Sequence, residues 1–286
     1  MAAESVGMSQ KKKDRAATIG MIIFFSILAI LTVLPIYLLV LASFKPGNFL
    51  LQYGLNLNLD IPHLTLDNYK LLFTGKHDYW TWFGNSLILT VITVILTLAI
   101  SAFVAYGFAA YDFKGKNFLF IIVLLILSVP FEVIMLPLYK QISSWGMMDS
   151  YVSVVLPFLA HASTIFFFRQ YLLGLPKSLI EAGRIDGATE YGIFFKLIVP
   201  IMKPAFSAMA ILNGMNAWNN YLWPKVIMMS DTSQTMPMLV ANLSVGYSID
   251  YGVLMLGVLI CSLPTGILFL VLQKSFANGI VGAVKG

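Results

Sequence analysis

Apolar residues in this chain fall in long unbroken runs, and the charged residues stand between the runs. Five stretches contain no Asp, Glu, Lys or Arg: 16–44, 79–111, 150–168, 204–224 and 251–273. A sixth, 117–139, is interrupted only by Glu132. About 20 apolar residues carry a helix across the hydrocarbon core of a bilayer, so each stretch is long enough for one crossing. The pattern predicts an all-α membrane protein with six transmembrane helices, at about 17–43, 85–110, 117–138, 152–168, 204–228 and 252–273. The chain then divides into a basic tail (1–16), the first span (17–43), an external loop expected to form a small cap (44–84), and a core (85–286) ending in a tail at 274–286. Pro35 lies inside the first span, where neighbouring helices can satisfy the carbonyl that a proline leaves free. Thr90, Thr93, Thr97 and Ser101 recur every three to four residues along the second span, which reads as a small hydroxylic stripe for helix packing.

Composition points the same way. Apolar residues make up 59% of the 286 and charged residues 11%, against about 25% charge in an ordinary soluble domain. The net charge of +5 would suit a nucleic acid or an anionic ligand, but the placement of the charges gives it a topological meaning. With the N-terminus inside, the outer side holds Lys45, Lys70, Lys76, Lys140 and Lys225, and the other thirteen of the eighteen Lys and Arg face the cytoplasm. That is the bias of the positive-inside rule, and it makes both termini cytoplasmic. Lys11-Lys12-Lys13-Asp14-Arg15 resembles the start of a secretory signal. The apolar run after it exceeds the roughly 7–15 residues of a signal, and no small-residue cleavage site precedes Phe44-Lys45. The lone cysteine, Cys261, cannot form an intrachain disulfide and reads as a packing residue. His63, His77 and His161 lack metal-ligand spacing, no P-loop is present, and no nucleophile and base pair marks a catalytic site. The expectation is a chain with no metal, cofactor or catalytic residues of its own, which is not an enzyme.

The longest cytoplasmic connection, 169–203, holds the most informative motif. Over 177–200, Leu179, Ile180, Ala182, Ile185 and Ala188 set an apolar face on a short helix, Gly187 permits a sharp turn, and a second short helix over about 190–198 is expected to end at Pro200. Two amphipathic helices hinged at a glycine must bury their apolar face against a partner. These residues resemble the membrane subunits of bacterial ABC importers, whose signature is Glu-Ala-Ala, three residues, Gly, nine residues, Ile-x-Leu-Pro. Here Glu181-Ala182-Gly183 and Gly187 are followed at that spacing by Leu197-Ile198-Val199-Pro200, with Gly183, Leu197 and Val199 replacing Ala, Ile and Leu. Gly183 is expected to weaken its helix by up to ~1 kcal/mol relative to Ala. The resemblance extends to the maltose-type carbohydrate branch, second-permease kind, through Thr65-Leu66-Asp67-Asn68-Tyr69, Pro137-Leu138-Tyr139, Phe168-Arg169-Gln170, Ile185-Asp186-Gly187-Ala188, Trp218-Asn219 and the final Gly282-Ala283-Val284-Lys285-Gly286.

The resemblance implies a type I ABC-importer permease fold in a bacterial plasma membrane. It also implies a second, different permease subunit, a dimer of ATPases that bind ATP and Mg, and an extracellular solute-binding protein. The substrate is then a carbohydrate, expected to be an oligosaccharide, with lipid around the spans and no nucleic acid. Glu181, Ala182, Gly183, Asp186, Gly187 and Pro200 become the ATPase-coupling residues, with Glu181 the polar contact and Gly187 the bend. For the sugar path, Asn213, Asn216, Asn220 and Trp223 fall at spacings of three, four and three, so they share one helical face of the fifth span. Amides offer donor and acceptor to hydroxyls, and an indole face can stack on a sugar ring. Glu132, about 15 residues and roughly 22 Å of rise into the third span, and His161 near the middle of the fourth complete the set. The alternative for each is a helix-to-helix hydrogen bond. An ion-coupled secondary transporter is the rival class, and a membrane-embedded enzyme a second; neither inverted repeats nor catalytic pairs are visible.

Overall fold

The computed structural model describes residues 2–75, 78–245 and 249–284, and every element in them is helical. Lys76 and His77 of the expected external loop, and Lys285-Gly286 of the terminal motif, lie outside the described residues. Three helices are individually long and apolar enough to cross a membrane: the 17–43 part of α1 (Ala2–Ser43), all of α4 (Tyr79–Ala110), and the Tyr251–Gln273 part of the last helix. The second of these starts six residues before the expected Asn85. The described residues form two compact units, 1–76 with 243–260, and 77–242 with 261–286.

In the first unit the segment after α1 folds into α2 (Gly47–Tyr53), a turn of 3-10 helix at Ile61–His63, and α3 (Asp67–Thr74). The last carbonyls of α1 and its exit need partners that a helix cannot supply. Asn68 supplies them: its buried amide donates to the carbonyls of Ser43 and Lys45, each at 2.8 Å. Buried Lys45 donates to Asn56 Oδ1 and to the Asn58 carbonyl, both at 2.8 Å, so its charge is met inside the cap. Gly252 closes on this joint, since a methyl there would lie 2.7 Å from the Lys45 carbonyl.

In the second unit α4 packs along α8 (Ala162–Leu173) and α11 (Lys203–Trp218). Two expected spans are bent pairs, and a third bends sharply away from the helix before it. The third is α5 (Lys116–Ile126) and α6 (Phe131–Ser144), turned by 99°. Pro130, extended at φ −62° and ψ 137°, lacks the N–H that would continue the ladder, so the straight 22 Å rise to Glu132 is replaced by a corner just before it. The fourth is α7 (Tyr151–Phe158) and α8, bent by 44° with His161 at the break. The fifth, expected at 204–228, is the run Lys203–Ile227, which turns by 75° from the preceding α10 (Glu190–Ile201). Within that run α11 stops at Trp218 and α12 (Leu222–Ile227) begins after an irregular Asn219-Asn220-Tyr221. The second short helix of the 177–200 segment also departs from expectation. It passes through Pro200 to Ile201, because Ile193–Ile198 opens into a π turn that absorbs the proline's missing hydrogen bond. The chain ends on α13 (Met236–Leu243) and α14 (Tyr251–Val284).

Candidate functional site: a cavity at three helix breaks and a docking segment

The corners of the second unit meet around one cavity of about 490 Å³. Glu132 lines it from the first turn of α6, His161 from the residue before α8, and Asn216, Asn219 and Asn220 from the end of α11 and the break after it. Irregular backbone at membrane depth is tolerated where it lines a wet cavity, so the breaks and the polar side chains have one cause. Ser86, Thr93 and Thr97 of α4 form the facing wall, joined by Thr235.

The polar residues divide by whether their hydrogen bonds are already spent. Asn213 is buried, and its amide pairs with Thr164 across α11 and α8, Nδ2 donating to Oγ1 at 3.0 Å. Thr97 donates to the Phe158 carbonyl at 2.9 Å, as the packing reading of the stripe requires. Asn219 Nδ2 donates to the Met215 carbonyl at 2.9 Å, and His161 Nδ1 shares a hydrogen bond of 2.8 Å with Ser163 Oγ. Glu132, Asn216, Asn220 and Thr93 have no side-chain partner among the described residues, and the Thr235 hydroxyl is buried without one. Free amides and hydroxyls facing a void are what a polyhydroxylated ligand needs.

Trp223 does not join this wall. It is 0% exposed, its indole N–H donates to the Ser153 carbonyl at 3.1 Å, and its ring meets Phe131 edge to face. The break at 219–221 ends the helical register from which a shared face was extrapolated, so the three-four-three spacing carries no further than Asn216. Aromatic surface comes instead from Phe131, Phe158, Trp218 and Tyr221. Proline and asparagine are visible in the sequence, but the meeting of three corners is a tertiary fact.

The docking segment lies in the same unit. α9 (Ser178–Ile185) ends in a Schellman cap: Ala188 N–H donates to the Gly183 carbonyl at 3.0 Å and Gly187 N–H to that of Arg184 at 3.1 Å. Gly187 sits at φ +74°, a left-handed conformation natural to glycine, and a methyl there would meet nothing within 4 Å. Its requirement is therefore backbone conformation, not close approach. Gly183 is the reverse case, because a methyl on it would lie 3.0 Å from Ile193 Cγ1 and 3.0 Å from Leu197 Cδ1. Two departures from the family signature, Gly183 and Leu197, thus touch each other, and the leucine methyl crowds the space an alanine would use.

Glu190, which opens the second short helix, is the polar hub of the segment. Arg184 donates to both its oxygens, Nε to Oε1 at 2.7 Å and a terminal nitrogen to Oε2 at 3.3 Å. The Tyr111 hydroxyl donates to Oε2 at 2.6 Å and that of Tyr106 to the same oxygen at 3.4 Å. The Arg184 hydrogen bond, then that of Tyr111, holds the Glu190 carboxyl below its ordinary value of 4.5. Below the hub, Ile193, Phe194 and Ile198 are buried with Ala102, Ala105 and Tyr106 of α4, Phe168 of α8 and Ala205 of α11. On the outer side Ile185 is 86% and Tyr191 74% exposed, beside exposed Glu181, Ala182 and Asp186.

Residues 98–282 match the family described as binding-protein-dependent transport system inner membrane component. The chain is 46% identical over 269 residues to the arabinooligosaccharides transport system permease protein AraQ of Bacillus subtilis (strain 168), covering 94% of this chain and 96% of that one. It is 34% identical over 213 residues to the lactose transport system permease protein LacG of Rhizobium radiobacter, covering 74% and 78%. A solved bacterial ABC transporter involved in the import of the acidic polysaccharide alginate contains a chain that superposes with a TM-score of 0.80 at 22% identity, covering 92% of this chain and 98% of that one, which establishes the fold. With its apolar helices, broken spans and glycine-hinged segment, the chain belongs to the family of binding-protein-dependent transport system inner membrane components, multi-pass permease subunits whose ATPase is a separate chain.

Proposed function

We propose that this chain is one of two unlike permease subunits of an importer that moves a carbohydrate, an oligosaccharide by size class, from an extracellular binding protein into the cytoplasm by alternating access. Relatives that transport arabino-oligosaccharides and lactose support the substrate class. The observation that carries the reading is the cavity at the helix breaks, where Asn216, Asn220 and Glu132 face a void without intramolecular partners. Counting each bent pair as one crossing allows up to six spans, and the bias of Lys and Arg along the sequence supports both termini and residues 170–203 on the cytoplasmic side.

The segment at 177–200 is the seat of a partner dimer of ATPases, which bind ATP and Mg. Exposed Ile185 and Tyr191 offer it apolar surface, and Glu181 and Asp186 offer polar contacts. Movement of the segment reaches the cavity through α4, which carries Tyr106 at the hub, with Tyr111 just past its end, and Thr93 and Thr97 on the cavity wall. Thirteen residues of helix separate Thr93 from Tyr106, about 20 Å of rigid rod.

Purification of the tagged chain from its native membrane tests the proposal. Recovery of an ATPase and a second permease, with ATP hydrolysis stimulated by a sugar-loaded binding protein, is expected. Sugar uptake by this chain alone, driven by an ion gradient and indifferent to ATP, would place it with secondary transporters.

A further inference from the structure

We infer that the cavity selects uncharged saccharides and rejects those bearing carboxylates, a substrate class within the carbohydrate reading on which this inference rests. The cavity wall holds one charged side chain, the carboxylate of Glu132, and no lysine or arginine lines it. Burying a carboxylate without a counter-ion is strongly unfavourable, and here an acidic sugar would meet a second carboxylate instead of a cation. The other groups are suited to neutral hydroxyls. Asn216 and Asn220 each present a donor pair and an acceptor, and the orphaned Thr235 hydroxyl, in a residue only 3% exposed, supplies one more of each. His161 is the one imidazole in the lining. Its Nδ1 is engaged by Ser163 at 2.8 Å. The rings of Phe131, Phe158 and Tyr221 provide apolar surface for the C–H faces of a sugar. A permease of the same fold with acidic cargo must supply cations at this level from some source, and this wall supplies none.

The test uses the whole complex in lipid nanodiscs without binding protein, so that the permease alone discriminates. Equilibrium dialysis compares a labelled neutral trisaccharide, arabinotriose, with a labelled acidic one, trigalacturonate. The parental complex is expected to bind the neutral probe at least ten times more tightly. Glu132→Gln is expected to narrow that ratio about fivefold or more, and Glu132→Lys to reverse the preference. Equal or tighter binding of trigalacturonate by the parental complex would overturn the charge inference alone, as would an unchanged ratio in both Glu132 variants. Failure of both probes to bind, or binding of both that Asn216→Ala with Asn220→Ala does not alter, would overturn the inference together with the cavity reading.

Discussion

The cavity and the docking segment are complementary in what they leave unsatisfied. The cavity leaves several polar groups unpaired, since Asn216, Asn220 and the Thr235 hydroxyl have no partner, while Trp223 behind it is fully buried in the packing. In the segment the polar hub is saturated, Glu190 receiving hydrogen bonds from Arg184, Tyr111 and Tyr106, while Ile185 and Tyr191 stand out in the open. The first surface lacks hydrogen bonds and suits a small hydroxylated ligand. The second lacks apolar contact and suits a folded protein. The two surfaces thus call for different partners, and substitutions can pull the two apart.

The largest effect is expected from Gly187→Val in the docking segment. A β-branched residue at φ +74° costs about 1–2 kcal/mol and misdirects the chain between the two short helices. Uptake should fall more than tenfold while the permease subunits remain expressed and paired. Gly187→Asn, which tolerates left-handed backbone, should restore most of it. Equal uptake by the valine variant would remove the conformational argument.

Trp223→Ala breaks the comparison at the other region in an unselective way. Loss of a fully buried indole costs about 3–5 kcal/mol, so the expected readout is reduced assembly and thermal stability, not a specific loss of sugar handling. A well-assembled Trp223→Ala complex with impaired sugar response alone would return this ring to the sugar path.

Glu190→Ala is expected to lower uptake several-fold, with ATP hydrolysis less dependent on loaded binding protein. Glu190→Gln, which keeps the shape but not the charge, should be milder. Because the Glu190 carboxyl is held below 4.5 in the folded chain, its contribution is present above that value and is lost as pH falls through the lowered one. Coupling by the hub should therefore be flat from neutral pH down to about pH 5 and weaken only under stronger acid.

The smallest change is Gly183→Ala. The gain in helix propensity, up to ~1 kcal/mol, is opposed by contact at 3.0 Å with Ile193 Cγ1, in a buried β-branched side chain, and with the Leu197 Cδ1 methyl, a side-chain end that can shift. Little net change in stability is expected, and Gly183→Ala with Leu197→Ile should exceed the single variant in melting temperature.

These differences also mark what the sequence could disclose. The long charge-free runs announce apolar helices because lipid solvation depends on composition alone, and the hinge is legible because Gly187 is one residue with one requirement. Span continuity is not legible in that way. Pro130 signals a corner but not its 99° turn, and nothing local to Asn219-Asn220-Tyr221 distinguishes a break from a polar helical turn. Asn216 and Asn220 reach the cavity while Trp223, placed on their face by periodicity, belongs to the core. The Glu190 hub escaped because its partners, Tyr106 and Tyr111, are about 80 residues away along the chain.

The most direct test of the cavity as the sugar path is uptake of labelled arabinotriose into proteoliposomes containing the full complex, ATP and loaded binding protein. Asn216→Ala with Asn220→Ala should reduce the initial rate at least tenfold while ATPase subunits stay bound and basal ATP hydrolysis persists. A parental uptake rate in that double variant would contradict the account and show that this face packs against a helix while the sugar passes elsewhere.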